Sequence, residues 1–518
     1  MPSYLSPGVY VEEVEAGARP IEGVGTSVAA FLGFAPQGPL NEPTLVTNWS
    51  QYVNAFGDFV EGTYLASAVY GFFANGGGIC YVVRIGDGSS TSPGELEAGA
   101  SAETPEALLG GYRVRALPGV TGEVSVEVGP VEGEDPPNDV FKLVVKVDGE
   151  VKESYASVSF RRSKDNVVTK VREKSQTITL EEVARGSAAK PDAQAVVLAS
   201  KPGTPATPGV SAVPASLSAD DYVGDADQRT GFGGLEAVEE ITMVAVPDLM
   251  SAHQRGIIDA ETVIAVQQAL ITHCELMGDR VAILDAPPGL SPQQIKGWRL
   301  DTAGFDSKFA TLYYPWIKVF DPSIGRAALV PPSGHIAGVW ARSDESRGVH
   351  KAPANEVLRG AVGLQTQITK GEHDLLNPLG VNCVRSFPGR GIRVWGARTL
   401  ASDAAWRYLN VRRLFNYLEE SILTGTQWVV FEPNDDALWA RVRRTISAFL
   451  VNEWRKGALF GLTPDEAFYV KCDRETNPAE SIDAGVVICE VGVAPVKPAE
   501  FVVFRLSQLS GGTGSVDE

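Results

Sequence analysis

The sequence predicts a multidomain α/β protein: a mainly parallel or mixed sheet with flanking helices, a β-rich insertion, and an extended arm at each end. Three observations carry this expectation. Apolar strand-like runs alternate with helical patterns before Gly86 and again after Ile241, as βαβ connections require. The stretch between them is rich in Gly, Pro, Ser, Ala and acidic residues and holds only short alternating strands. The first and last segments have extended patterns with no hairpin partner nearby. A chain of 518 residues also exceeds the ~250–300 at which a single core stops growing.

Near the N-terminus, Pro7 and Gly8 interrupt any helix, and Val9, Tyr10, Val11 and Val14 form a short strand without a local partner. Such a strand must pair with something distant or with another chain. VAAFLGFA from Val28 reads as a buried strand. Asn48 or Ser50 opens a short helix ending at Phe56, Thr63 caps a second that ends in a glycine run, and ICYVVRI is the next strand. From Gly86 to about Gly234 we expect the insertion, with strands in YRVRALPG, VSVEVG and FKLVVKVDG, and a Pro-rich linker, KPGTPATPGVSAVPAS.

TMVAVPDL resumes the strands. A helix follows in which Val263, Val266, Leu270, Cys274 and Met277 share one face, then the strand RVAILDAPPG with its turn beginning at Asp285. Late in the chain, a helix starting near Ser402 or Asp403 buries Val411, Leu414, Phe415, Leu418 and Ile422. A second, capped by Asp435 or Asp436, buries Leu438, Val442, Ile446, Phe449 and Leu450. Arg441, Arg444 and Arg455 share the opposite face of that second helix. Pro495 and Pro498 exclude a helix at the end, leaving Phe501, Val502, Val503 and Phe504 in an unpaired strand before a glycine-rich tail.

Against 45 basic residues stand 64 acidic ones, a formal charge of −19, which argues against direct binding to nucleic acid or an anionic membrane. No apolar run approaches the ~18–20 residues of a membrane span, and the start lacks the basic and apolar regions of a secretory signal. Five scattered cysteines with no CxxC pair disfavour a disulfide framework or zinc knuckle; we expect a soluble chain made in a reducing cytoplasm.

Enzyme chemistry finds little support. No Gly-Lys dipeptide exists for a P-loop, GFGG and PGRG do not complete a GxGxxG, and GxSxG is missing. Ser333 near His335 reads as a polar turn. His253, His273, His335, His350 and His373 lack metal-ligand spacing, and Asp285 reads as a turn cap. We therefore assign no catalytic, cofactor or metal residue. Arg385, Arg390, Arg393, Arg398, Arg407, Arg412 and Arg413 read as partners of Asp and Glu within the chain, with subunit contact as the sharper alternative.

Several long strings resemble one family. YLSPGVYVEEV, GTSVAAFLGFAPQGP, YYPWIKVFDP, VPPSGHIAGVWARSDESRGVHKAPANE, LNPLGVNCVRSFPGRGIRVWGARTL, WRYLNVRRL and APVKPAEFVVFRLSQ are similar to segments of contractile tail sheath proteins of phages, R-type bacteriocins and extracellular injection systems. The resemblance covers the N-terminal quarter weakly and nearly everything after Tyr313 strongly; the insertion matches no known pattern. It implies a non-enzymatic subunit of stacked hexameric rings around an inner tube, assembled in the producing cell's cytoplasm with baseplate and terminal cap proteins, metastable when extended and contracting to drive the tube through an envelope. The implied organisation is an arm at 1–24, a core at 25–86 and 235–375, a surface insertion at 87–234, a C-terminal sheath domain at 376–494, and an arm and tail at 495–518. The arms would be donated to neighbouring copies, and Arg441, Arg444 and Arg455 would face the tube. The competing readings are a soluble hydrolase-like α/β enzyme and a non-contractile shell protein.

Overall fold

A computed structural model describes residues 20–86, 106–109, 112–116, 124–129, 131, 140–147, 150–159, 166–175, 177–182, 195–197, 213–214 and 216–506. Val9, Tyr10, Val11 and Val14 lie outside the described residues. The chain forms two compact units, one of residues 1–90 and 211–518, the other of residues 91–210.

The first unit is built on an eight-stranded sheet. Its elements in chain order are β1 (Val28–Gly33), β2 (Thr44–Val46), α1 (Trp49–Phe56), α2 (Leu65–Asn75), β3 (Ile79–Arg84), β4 (Met243–Ala245), α3 (Ala260–Met277), β5 (Val281–Asp285), β6 (Ala310–Tyr314), α4 (Ser333–Arg347), β7 (Val381–Phe387) and β8 (Gly391–Val394). The spatial order is β8-β7-β6-β5-β4-β1-β3-β2, with only the edge strands β2 and β8 antiparallel. β1 lies between β3 and β4, pairing Ala29 with both Cys80 and Met243. The sheet therefore joins segments from both sides of the inserted residues.

Every β1 residue is buried because both faces are covered. Ala30 and Leu32 pack toward Val263, Val266 and Leu270 of α3. Ala29 and Phe31 pack toward Phe72 of α2 and Trp340 of α4. Helices α2 and α4 approach closely through glycine: a Cβ at Gly334 would lie 2.3 Å from the Ala68 Cα, and one at Gly338 would lie 2.4 Å from the Phe72 carbonyl oxygen. SGHIAG is thus the buried start of a helix rather than the polar turn expected from its composition.

Other local expectations also change. Thr63 does not cap α2; its hydroxyl donates to the Val60 carbonyl. The cap is Asp248, far along the chain, which accepts from the backbone N–H groups of Tyr64 and Leu65 and from that of Phe34. Asn48 does cap α1, accepting from the Gln51 N–H.

The second unit is β-rich. Strands Ala195–Val197, Val124–Gly129, Val140–Val147 and Glu150–Ser159 form an antiparallel sheet in that order, and Glu106–Leu109, Tyr112–Ala116 and Ile178–Glu182 form another. Burial alternates strictly along Val140–Val147. The unit ends at Val210, short of the Gly234 expected from composition, because Tyr222, Phe232 and Leu235 are buried in the core of the first unit.

Two long helices follow β8: α5 (Leu409–Gly425) and α6 (Asp436–Arg455). α5 begins at Leu409 rather than Ser402 because Ser402 is held by Asp306 through its N–H and hydroxyl. α6 begins as expected, with Asp435 accepting from the Leu438 N–H. Leu414 and Leu418 of α5 and Leu438, Val442, Ile446, Phe449 and Leu450 of α6 share one core. A two-stranded antiparallel ribbon, β9 (Phe468–Lys471) and β10 (Glu490–Val493), packs beside them.

Candidate assembly interface

The C-terminal end leaves the body at a defined latch. After β10, the Phe460 N–H donates to Ala494 and the Val496 N–H to Ala458, while the Asn410 amide on α5 donates to the Val496 carbonyl. Glu500 is then gripped from three sides. Its Oε1 accepts from Asn377 at 2.7 Å and Arg398 Nε at 2.9 Å; its Oε2 accepts from Arg398 Nη2 at 2.6 Å and the Tyr408 hydroxyl at 3.2 Å. Burial alone would raise the Glu500 carboxyl, but these donors outweigh it and hold it below the usual glutamate range.

Beyond the latch, Phe501–Leu506 has no regular structure. Phe501 is 73 % exposed, Val502 68 %, Val503 77 %, Phe504 85 % and Leu506 97 %. Exposed single apolar residues are ordinary, but a contiguous run marks an interaction site.

The N-terminal root sits on the same helix. Ile21 is buried with Leu414 and Leu418, and the Val24 N–H donates to the Ser421 hydroxyl on α5. Arg413 of α5 makes a two-pronged ion pair with Asp344 of α4 and also donates to the Thr26 carbonyl. Both ends of the described chain are therefore fixed through α5 and the residue that precedes it, Tyr408.

The ribbon offers unpaired edges. Each of β9 and β10 has the other as its only strand partner among the described residues, and Tyr469 on β9 is 60 % exposed. An isolated two-stranded ribbon is marginal in water.

On α6, Arg441 is half-exposed, donates to Glu432 at 2.7 Å and lies over the Trp428 ring. Arg444 and Arg455 are exposed, and neither has an ion pair among the described residues. The structure thus puts the three arginines on one helix but splits them by environment. Among the seven arginines from Arg385 to Arg413, Arg398, Arg412 and Arg413 have acidic partners in Glu500, Glu419 and Asp344. Arg390 and Arg393 instead donate to Asn355, and Arg385 lies over the Phe387 ring.

Ser333 and His335 do not form a nucleophile and base. The Ser333 hydroxyl donates to Asp285 Oδ2 at 2.5 Å and its N–H to Oδ1 at 3.0 Å, so Asp285 caps the start of α4 rather than its own turn. His335 points at Gly71, and burial lowers its pKa to about 4. Burial raises Asp285 to about 7 against the opposing Ser333 hydrogen bonds, and Asp248 to about 7 against its three backbone donors. Among the described residues no group of three or more His, Cys, Asp or Glu is placed to hold a metal, and no helix is long and apolar enough to cross a membrane.

Glu500 is the residue that sequence reasoning missed. Its signal was a lone acid between Pro498 and an apolar run.

Comparison with known proteins fits this architecture. The model of the phage tail sheath protein central domain matches residues 217–400, and that of the phage tail sheath C-terminal domain matches residues 401–508. The tail sheath protein of Burkholderia phage BcepMu is 25% identical over 96% of this chain and 95% of its own length. A putative prophage major tail sheath protein of Pseudomonas aeruginosa is 27% identical over 47% of this chain. The chain spans 62% of that protein and 35% of the Vibrio phage KVP40 tail sheath protein, another relative at 27% identity. Among solved structures, the helical sheath of the anti-feeding prophage in its contracted state superposes with a TM-score of 0.59 at 25% identity, covering 97% of this chain and 99% of that one. The sheath complex of an extracellular contractile injection system, PVC, also in the contracted state, shares the fold with a TM-score of 0.58 at 23% identity, over 98% of this chain and 99% of that one. With the two family models lying end to end over more than half of its length, the chain belongs to the contractile tail sheath family.

Proposed function

We propose that this chain polymerises as stacked hexameric rings around an inner tube, is metastable when extended, and contracts to drive the tube through a target envelope. The observation that carries this reading is the exposed segment beyond the Glu500 latch, with the apolar run Phe501–Phe504 and Leu506 after Arg505. An extended segment of this kind gains backbone hydrogen bonds by adding to the edge of another sheet, with alternate side chains fixing the register. The open edges of β9 and β10 are a suitable acceptor, and the N-terminal arm around Val9, Tyr10, Val11 and Val14 would be donated in the same way.

Coupling between rings follows from where the arms are rooted. Both roots engage α5 or Tyr408 just before it, so displacement of one body pulls on segments held by its neighbours. A preference of about 1–3 kcal/mol per subunit, the usual size of a coupling energy, becomes large when many linked copies move together. No nucleotide enters this scheme. The tube, baseplate and terminal cap are its protein partners, assembly takes place in the producer's cytoplasm, and the unit at 91–210 decorates the sheath surface.

Negative-stain microscopy of particles made with a chain ending at Glu500 tests the reading. Loss of long striated sheaths with a folded body is the expected result; sheaths of normal length would overturn it.

A further inference from the structure

The ribbon holds a pair of thiols that nothing in their sequence spacing associates. β9 and β10 pair Phe468 with Val493 and Lys471 with Glu490. Cys472 and Cys489 are the next residues on the two strands beyond that last pair, and would face each other if the register ran one step further. Directly opposed residues of an antiparallel ladder have Cα atoms about 4.5–5.5 Å apart, within the roughly 4.4–6.8 Å that a disulfide spans. The two thiols are close enough that each perturbs the ionisation of the other.

The surroundings hold the two residues in register. Asn477 clamps the far side of the loop: its Oδ1 accepts from the Ile488 N–H at 2.6 Å, and its Nδ2 donates to the Ile488 carbonyl at 3.0 Å and lies 3.9 Å from the Cys472 sulfur. Arg443 of α6 donates to the Cys472 carbonyl at 2.8 Å. Cys472 is buried and Cys489 only partly so, which makes Cys489 the more exposed residue of the pair. The other three cysteines, Cys80, Cys274 and Cys383, are buried in or against the central sheet.

We propose that Cys472 and Cys489 are an oxidation site that closes to an intrachain disulfide when the protein meets a small-molecule disulfide outside a reducing compartment. The Cys489 thiolate attacks one sulfur of the oxidant, forming a mixed disulfide and releasing one small thiol. The Cys472 thiolate then attacks the Cys489 sulfur and expels the second small thiol. One protein S–S bond replaces two S–H bonds, and the two electrons and two protons end on the two released thiols. Burial raises the Cys472 thiol and pushes Cys489 up to about 12, against the nearby Arg443 charge. Thiolate is therefore scarce and closure is slow, suited to a finished particle rather than to a rapid sensor. The bond would staple the ends of β9 and β10 and constrain the loop between them. Its effect on arm capture rests on the ribbon being the acceptor; its formation does not.

The test exposes the full-length, purified chain to glutathione disulfide at mildly alkaline pH, with a dithiothreitol-treated sample as reference. Free thiols counted after denaturation should fall from five to three per chain, and non-reducing peptide mapping should link Cys472 to Cys489. C489S should show no such linkage, and the wild-type oxidised sample should melt a few degrees above the reduced one. Five persistent thiols under conditions that oxidise a control dithiol, or linkage of any other pair, would overturn the assignment. Sheath length is read separately: a confirmed bond with unchanged assembly keeps the oxidation site and counts against the ribbon as acceptor.

Discussion

The central sheet and the C-terminal ribbon satisfy the same backbone chemistry in opposite ways. Six of the eight sheet strands have strand partners on both sides, and even the helix starts beside the sheet are closed from within. Asp248 accepts from three backbone N–H groups and Asp285 from the first residue of α4. The ribbon strands have one strand partner each among the described residues, and Phe501–Leu506 has no regular structure. Stability is thus concentrated where the chain completes itself, and on the proposed reading association is concentrated where it does not.

The sharpest break between the two regions comes from deleting residues 501–518. The Glu500 latch remains, so the melting transition should stay within about 0.5 kcal/mol of wild type, while long sheaths disappear from negative-stain fields. A longer deletion that begins at Ala499, and so removes Glu500 as well, should in addition free Arg398, and only that variant should lose stability. Equal destabilisation by both deletions would mean that the exposed segment belongs to the body.

Asp248→Ala attacks the other region. It orphans the N–H groups of Phe34, Tyr64 and Leu65 at once, and the expected cost is roughly 4 kcal/mol by chemical denaturation. Its assembly defect should follow the folded fraction alone.

Asp285→Asn reads the same region through pH. Burial raises the folded-state pKa of Asp285 from 3.8 to about 7, so the folded protein favours the protonated acid. The stability this group contributes is complete below the unfolded value and is lost as pH rises through about 7. An amide keeps the neutral form at every pH. The stability of wild type relative to Asp285→Asn should therefore decline by on the order of 3 kcal/mol between pH 4 and 8. Asp248 titrates in both proteins and cancels. A difference that is flat with pH, or that rises, would show that the Ser333 donors hold Asp285 charged throughout.

The sheet region is easy to read from sequence and its polar closure is hard. The apolar runs at Val28, Ile79 and Val281 mark strands because both of their faces are covered, and the heptad-like spacing of α6 marks its buried face. The closure depends on pairs far apart in the chain. Asp248 caps a helix 184 positions earlier at Tyr64, Asp285 meets Ser333, and Asp306 takes Ser402 away from the helix it was expected to start. Local capping rules name a residue type and not its partner, so Thr63 looked better than the distant carboxylate that caps α2. Near the C-terminus, the apolar run Phe501–Phe504 is plain in the sequence, although it forms no regular strand here, whereas the latch is not. Only folding brings Asn377, Arg398 and Tyr408 around Glu500.

Arg398→Ala sits on the boundary between the two regions. The pair it breaks is largely buried, with Arg398 at 9 % and Glu500 at 20 % side-chain exposure. Leaving Glu500 with only Asn377 and Tyr408 should cost about 2 kcal/mol. The informative readout is local: amide exchange should accelerate over residues 495–500 while the central sheet stays protected. If exchange rises equally in β1 and β4, the latch is part of the core and not a hinge for the arm.

The smallest effect concerns α6, where one face is core and the other is charged. Arg441 is already engaged by Glu432 and the Trp428 ring, so reversing it mixes a local loss with any loss at an interface. Arg444 and Arg455 are exposed without such partners among the described residues, so Arg444→Glu combined with Arg455→Glu should leave the isolated subunit's melting within about 0.5 kcal/mol. If these side chains meet acidic groups on the tube, the double variant should assemble poorly around it at low salt. The defect should shrink as ionic strength rises, because exposed charges more than about 8 Å apart are largely screened at 0.15 M. A defect independent of salt would point to packing, and normal assembly at low salt would remove these two arginines from the tube contact, leaving Arg441 and its Glu432 pair as the part of the stripe still to be tested.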